Sequence, residues 1–285
     1  MFSGIKTTYE FFKTMPIIQS QAFVLQDSSV SAFDLAPQTQ FSEGHYTVRF
    51  AKTEEEIDAA LRLRFEVFNL ELNEGLEASF INERDEDQFD KTCHHLLVIE
   101  NETEKIVGTY RVRTLEMAQS AFGFYSAGEF TVEDLPYQVL AESIETGRAC
   151  IAREHRNSRV LFLLWKGLAM YMTEKRKRWL FGCCSLSTQD CAVGMRAMRQ
   201  LVRNGFLHES LRVAPREDYV CRAEDFLSPD SGDHIKIPKL FDTYLRIGAK
   251  ICGEPVIDRQ FKTIDFFVIV DVKDIPERYF RMFFG

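Results

Sequence analysis

No apolar stretch in this 285-residue sequence approaches the roughly 20 residues that a membrane-spanning helix needs, so any membrane contact would be peripheral. The basic excess of a nucleic-acid binder is missing as well. Lys and Arg number 35 against 43 Asp and Glu, and a formal net charge of −8 does not suit displacement of counterions from a phosphate backbone. There are seven cysteines, an odd count, and no C-x-x-C pair. The N-terminus also lacks a basic segment followed by an apolar run and cleavage site. Together these absences argue against a disulfide framework and lead us to expect a reducing, cytoplasmic setting. Cys183 and Cys184, adjacent in a strand-like context, would face opposite sides of a sheet, so with Cys191 and Cys221 they make a poor metal cage. We expect no metal. Repeats and low-complexity segments are absent too.

What is present is an ordinary globular composition, 45% hydrophobic and 27% charged, with 25 phenylalanines that imply a thick core or an apolar ligand cavity. Residues 1–44 read as an N-terminal arm with a short helix in "TTYEFFKTMPII". Regular patterning fills 45–285. The alternating strand "YTVRFA" precedes "TEEEIDAALRLRFEVFNLEL", where Thr53 and Glu56 form a capping box ahead of apolar residues at helical spacing. An acidic loop, "NERDEDQFD", leads to a hairpin of "HLLVIE" and "KIVGTYRVRTL". The aromatic, glycine-containing region 116–140 has no clear period. Beyond it come a short strand "GRACIAR", a helix from Ser158, a strand "WLFGCCSL", a helix closed by Gly205, another helix in "IPKLFDTYLRIGAKI" and a last buried strand "TIDFFVIVD". That order is α/β, in one continuous domain.

Several charged groups allow more than one reading. Asp85, Asp87 and Asp90 could suggest calcium, but the glycine and terminal glutamate of an EF-hand loop are missing; a surface loop, or a carboxylate network braced through Arg64 and Arg111, fits better. His94 and His95 enter a strand on opposite faces, which suits structural hydrogen bonding. "EKRKRW" at 174–179 is a solvated helix end or a dock for an acidic partner. The C-terminal "ERYFRMFFG" is an aromatic helix packed on the fold or a membrane-surface contact.

Several motifs in order resemble the GNAT superfamily of N-acyltransferases. They are Arg64 and Phe68 four apart, "DEDQFDKTCHHLLV", Arg111 in "VGTYRV", "GFYSAGEF", and Glu145 with Arg148 in "ETGR". "LLWKGLA" and "GEPVIDRQFKTIDFFVIVD" are similar to its hemolysin-like branch, which includes the ornithine-lipid-forming N-acyltransferases; acyl-homoserine-lactone synthases are more distant relatives. The resemblance implies a GNAT-like α/β fold, a mixed central sheet flanked by helices. It also implies transfer of a long-chain, in some members 3-hydroxylated, acyl group from acyl carrier protein to the amine of an amino acid such as ornithine. No cofactor is implied beyond the donor's own 4'-phosphopantetheine thioester. In the resemblance Glu145 is the base or amine-binding carboxylate, with Asp87 and Asp90 as rivals and Arg148 beside it. Arg64, Phe68, Arg111 and Trp165 would form the substrate site, backbone N–H groups near Cys150 the oxyanion donors, and Arg153, Arg156, Ser158 and Arg159 the phosphate contact.

One departure from the superfamily stands out. Where acetyl-coenzyme A users carry R-x-x-G-x-G/A, this chain has "REHRNS" at 153–158, without the glycines that let backbone amides cradle a pyrophosphate. This favours a carrier-protein donor over coenzyme A. A lactone synthase and a non-catalytic acyl-binding module remain the alternatives at this stage. The cysteine usage and N-terminus lead us to expect a cytoplasmic protein, and the aromatic C-terminal segment adds a peripheral contact at the inner face of the membrane as a further option.

Overall fold

A computed structural model of the chain describes residues 36–222 and 234–285; the helix expected in "TTYEFFKTMPII" lies outside them. Nine strands form one mixed sheet: β1 Phe41–Glu43, β2 Tyr46–Phe50, β3 His94–Glu100, β4 Ile106–Thr114, β5 Ser143–Ile151, β6 Trp179–Leu186, β7 Lys250–Ile251, β8 Val256–Asp258 and β9 Thr263–Asp271. Their spatial order is β1-β2-β3-β4-β5-β6-β9-β7, with β8 also paired to β9. The sheet thus begins at Phe41, inside the stretch read as an arm. Strands β1, β7 and β8 are two or three residues long, too short for any period to show.

The start of helix α1, Glu54–Phe65, shows how local chemistry sets an element. Thr53 is extended (φ −138°, ψ 162°) and its hydroxyl accepts the Glu56 amide at 3.3 Å. The Glu56 carboxylate does not return the bond to Thr53. It takes the Lys52 amide at 2.7 Å and pairs with Arg49, which ties the helix start to β2 instead of closing the box. At its far end α1 runs into a π-helical turn, Glu66–Glu71, so the single long helix read from the sequence changes winding halfway.

The two faces of the sheet are covered differently. Helix α4, Ser158–Glu174, buries Leu163, Leu164, Leu168 and Tyr171 against Val48, Leu96, Val112 and Phe266. Gly167 presses the helix onto β3, because a Cβ there would sit 2.8 Å from Leu96. Over α4 lies the last helix, α7 Glu277–Phe284, with Phe283 stacked 5.5 Å from Trp165. The opposite face carries α1 and the segment of α2, Leu115–Ser120, and α3, Tyr137–Ala141. Phe124, Phe130, Phe181 and Phe267 pack there with ring centroids 5.0–5.7 Å apart. Each such ring removed from water contributes roughly 1.5–3 kcal/mol, so much of the phenylalanine excess is core. Helices α5, Cys191–Arg203, and α6, Lys239–Arg246, complete the fold.

All strand pairs are antiparallel except β5 with β6. That pair is short: Ser143, Ile144 and Glu145 face Trp179, Leu180 and Phe181. Beyond this point β5 stays with β4 and β6 stays with β9, so the two strands splay apart. Gly182 stands at the fork, where a Cβ would strike the Thr146 carbonyl oxygen. The strand expected in "GRACIAR" begins four residues earlier, and the first three of those residues make the parallel contact.

Candidate active site

In a regular strand, residues three apart point to opposite faces, so Glu145 and Arg148 should be separated by the sheet. A β-bulge prevents this. Thr109 faces Cys150 but Arg111 faces Gly147, which leaves one extra residue on β5, and Arg148 adopts φ +54°. Both side chains are thereby delivered to the face that carries α1. Left-handed φ on an arginine costs of order 1 kcal/mol and needs surroundings that hold it.

Those surroundings are three aspartates from the acidic loop. Arg64 donates to Asp85 at 2.8 Å and to Asp90 at 2.6 and 3.2 Å. Arg111 bridges Asp87 at 2.6 Å and Asp90 at 3.0 Å, and Arg148 lies 3.2 Å from both Asp85 and Asp87. Asp90 also accepts the Asp87 amide at 2.8 Å, and His95 donates to the Asp90 carbonyl at 2.9 Å. Burial alone would push the Asp90 carboxyl up, but Arg64 and Arg111 outweigh it and hold it well below its ordinary value. His95, buried more strongly than its partners can offset, is pushed down to about 4 and is neutral. His94 turns the other way, to the Tyr171 hydroxyl at 2.9 Å. Asp90 is 1% exposed and its oxygens are taken, so it braces two arginines, Arg64 and Arg111, and is not free to take up a proton.

Glu145 and Arg148 do not pair with each other. Glu145 accepts the Tyr125 amide at 2.8 Å, the Ser126 amide at 2.8 Å and the Ser126 hydroxyl at 2.6 Å. It is the clamp for the unassigned "GFYSAGEF" segment. Arg113 clamps the same segment from below, donating to Gly123 at 2.8 Å, Met117 at 3.1 Å and Thr92 at 2.7 Å. The segment in turn lays Tyr125 over the Arg148 guanidinium, which Phe261 covers from another side at 4.1 Å.

Between the splayed strands opens a cavity of about 390 Å³. Arg111, Arg113, Glu145, Gly147 and Arg148 line one side of it, and Phe68, Leu72, Leu240, Phe241 and Tyr244 an apolar side. A third side was not anticipated: Asp258, Thr263 and Asp265 from β8 and β9, with Cys183 and Ser185 from β6. Behind it Glu129 reaches the Cys183 thiol at 3.7 Å. Burial, with Asp265 and Asp258 nearby, pushes the Glu129 carboxyl well above its usual range, and burial pushes Asp265 to about 6. Glu129, Cys183 and Asp265 place ligand atoms within 4.8 Å of one another, yet burial also raises the thiol, and a neutral thiol is a weak metal ligand. A signal existed for Asp265, since a charged residue stands between Ile264 and the apolar run "FFVIV" in a central strand.

The remaining expected residues scatter. Cys150 packs against Leu63 and Val67, with its thiol raised by burial; it is part of the core. Trp165 packs on Tyr244 at 4.7 Å, one layer behind the cavity. The arginines around the 153–158 loop do not converge. Arg153 is exposed, Arg156 forks onto Glu71 at 2.7 Å, and Arg159 leans toward Gly44 and Glu43. Helix α4 does not present open amides after Ser158, because the Asn157 side chain accepts those of Arg159 and Val160 at 3.0 and 3.1 Å. The basic run at 174–179 also departs from expectation. Lys177 is buried on Glu116 at 3.0 Å and Arg178 pairs with Asp271, next to the closed end of the β5–β6 fork and away from its mouth. In α7, Phe280 and Phe283 turn inward and Met282 stays exposed.

A sheet forked between two parallel strands, with a cavity in the fork, is the GNAT fold. The family model described as acetyltransferase (GNAT) domain matches residues 63–166, from the end of α1 through β5 into α4. The chain belongs to the family of the L-ornithine N(alpha)-acyltransferases. It is 34% identical to the one of that name from Brucella abortus (strain 2308), over 83% of this chain and 88% of that one, and 32% identical to the one from Agrobacterium fabrum, over 85% and 86%. Among solved structures it is similar to FeeM, an N-acyl amino acid synthase from uncultured soil microbes, at 11% identity over 82% of this chain and 92% of that chain, with a TM-score of 0.45. No helix among the described residues is long and apolar enough to cross a membrane.

Proposed function

We propose that the protein transfers a long-chain acyl group, 3-hydroxylated or plain, from the 4'-phosphopantetheine thioester of an acyl carrier protein to the α-amine of L-ornithine or a related amino acid. The observation that carries this reading is the β6-facing edge of β5 beyond Glu145, which has no strand partner among the described residues and borders the cavity. An extended pantetheine arm can add to such an edge as a strand would. The relatives' name supports the acceptor. The donor is supported by the 153–158 loop, which has no glycine and whose following helix is capped by its own Asn157, so a pyrophosphate finds no amide cradle. A single pantetheine phosphate needs less, and exposed Arg153 can meet it by side chain.

The chemistry is direct acyl transfer. The neutral amine attacks the thioester carbon, the C–N bond forms, the C–S bond breaks, and the departing thiolate takes the proton the nitrogen gives up. Amides at the β5 bulge are the donors for the transient oxyanion. Arg148, held between Tyr125 and Phe261, faces the cavity and suits the acceptor carboxylate. Glu145, with its oxygens engaged, acts as the positioning carboxylate that fixes Tyr125. Leu70, Leu72, Phe80 and Ile81 are exposed around the π-turn, and Leu72 also lines the cavity; they support release of an amphiphilic product toward the cytoplasmic face of a membrane.

The test is product analysis by mass spectrometry after mixing the purified protein with L-ornithine and either long-chain acyl carrier protein or acyl-coenzyme A. N-acylornithine from the carrier protein alone is the expected result. Product from coenzyme A alone would overturn the donor assignment, and no product from either would overturn the reaction.

A further inference from the structure

The cavity has a cationic side and an acidic side, and the acidic side has unmet hydrogen-bonding capacity. The Thr263 and Ser185 hydroxyls lie beside the Asp265 carboxylate, but no fully formed hydrogen bond involves Asp265 Oδ1 or Thr263 Oγ1, both buried in residues that line the cavity. They lie two residues apart on β9 and therefore on one face. Asp258 commits one oxygen to the Gln260 and Phe261 amides at 2.7 and 3.0 Å, and Glu129 behind it meets the Cys183 thiol. An acceptor left unpaired at this depth costs about 1–3 kcal/mol. Asp85 Oδ1 is unpaired as well but has Arg64 and Arg148 on its carboxylate. Asp265, by contrast, forms no ion pair among the described residues and borders the cavity, where a donor from outside the chain can reach it.

We infer that Asp265 and Thr263, backed by Glu129 and Asp258, form a subsite for the side-chain ammonium of a diamino-acid acceptor. This rests on the amino-acid acceptor proposed above and adds how a basic amino acid is told from a neutral one. An ammonium carries one positive charge and three donors, which matches an excess of carboxylates and two unfilled acceptors. The amine held there is not the one that is acylated. β6 lies between β9 and β5, and β5 has already splayed from β6 at the level of Asp265, so the subsite is at least two strand spacings, roughly 10 Å or more, from the edge where the thioester would lie. A molecule with amines at both ends of a short chain reaches both places; one with a single amine reaches only one.

The experiment uses the full chain as wild type, Asp265→Asn and Thr263→Val. Binding of L-ornithine and of L-norvaline, which has the same carbon chain without the second amine, is measured by calorimetry without donor, and the kcat/KM ratio for the two acceptors is then measured with acyl carrier protein. Wild type should prefer ornithine, and Asp265→Asn should lower the ornithine-to-norvaline ratio about 10- to 100-fold, mostly through KM; a fold-change of ten corresponds to about 1.4 kcal/mol. Thr263→Val should lower it several-fold and carries the test if the aspartate variant does not fold. An unchanged ratio, including equal losses on both acceptors, overturns the subsite. So does wild type that binds or acylates norvaline as well as ornithine. If wild type binds ornithine with the expected selectivity yet acylates neither amino acid, the reaction proposed above fails while the subsite stands.

Discussion

Two groups of buried carboxylates sit on the same face of one sheet and teach opposite lessons. Asp85, Asp87 and Asp90 are matched by Arg64, Arg111 and Arg148, with contacts from 2.6 to 3.2 Å. Glu129, Asp258 and Asp265 are about as deeply buried, but what they meet is a thiol, backbone amides and the nearby Thr263 and Ser185 hydroxyls. Burial by itself decides little. A matched set becomes scaffold, holding Arg148 at its left-handed φ, whereas an unmatched set is left poised for something that is not part of the chain.

The largest test of the contrast breaks the matched set. Arg64→Ala leaves Asp85 and Asp90 buried without their shared cation, and a loss of about 3–5 kcal/mol in unfolding free energy is expected from denaturant titration. A loss under 1 kcal/mol would show that the network is not scaffold.

A second test sharpens the contrast through pH. Asp265 has a folded value raised from 3.8 to about 6, so between about pH 4 and 6 the folded state binds more protons than the unfolded one. Its contribution to stability is therefore full below about pH 4 and is lost as pH rises toward 6. His95, lowered from 6.5 to about 4, acts in the opposite sense over nearly the same window, and so does depressed Asp90 at lower pH. Asp265→Asn should remove the falling component, and the stability difference between variant and wild type should grow by roughly 1–3 kcal/mol from pH 4 to pH 6.5. A difference flat with pH would mean that Asp265 is not held protonated.

The same contrast explains what was legible in the sequence. Strands such as Trp179–Leu186 and Thr263–Asp271, and the helix closed by Gly205 at φ +76°, follow from apolar period and turn chemistry and are found where those place them. The aspartate–arginine set was visible because both partners sit in recognisable motifs. The other set was not: its members come from positions 129, 183, 258, 263 and 265, the β6–β9 and β8–β9 registers bring the last four together, and the clamped segment that carries Glu129 adds the first. At Arg148 a bulge overrides the strand period of two, and at Lys177 the sequence misled, because this member of a basic run turns out to be internal. The arginines around Ser158 share a stretch of sequence but not a direction in space.

Glu145 falls between the two groups and supplies the smallest test. It has no cation on it, yet both oxygens are occupied, by two amides and one hydroxyl. Glu145→Gln turns one of those oxygens into an NH₂ group facing an N–H, so one backbone amide loses its acceptor, and a cost of about 1–2 kcal/mol is expected in thermal or denaturant unfolding. Activity should fall less than about tenfold, because Tyr125 loosens over Arg148 but the amine, thioester and thiolate are unchanged. A base would behave differently: removing one costs about 10²–10⁴ in kcat with little effect on stability. If Glu145→Gln keeps its unfolding midpoint and stalls turnover, Glu145 belongs with the poised carboxylates and not with the scaffold.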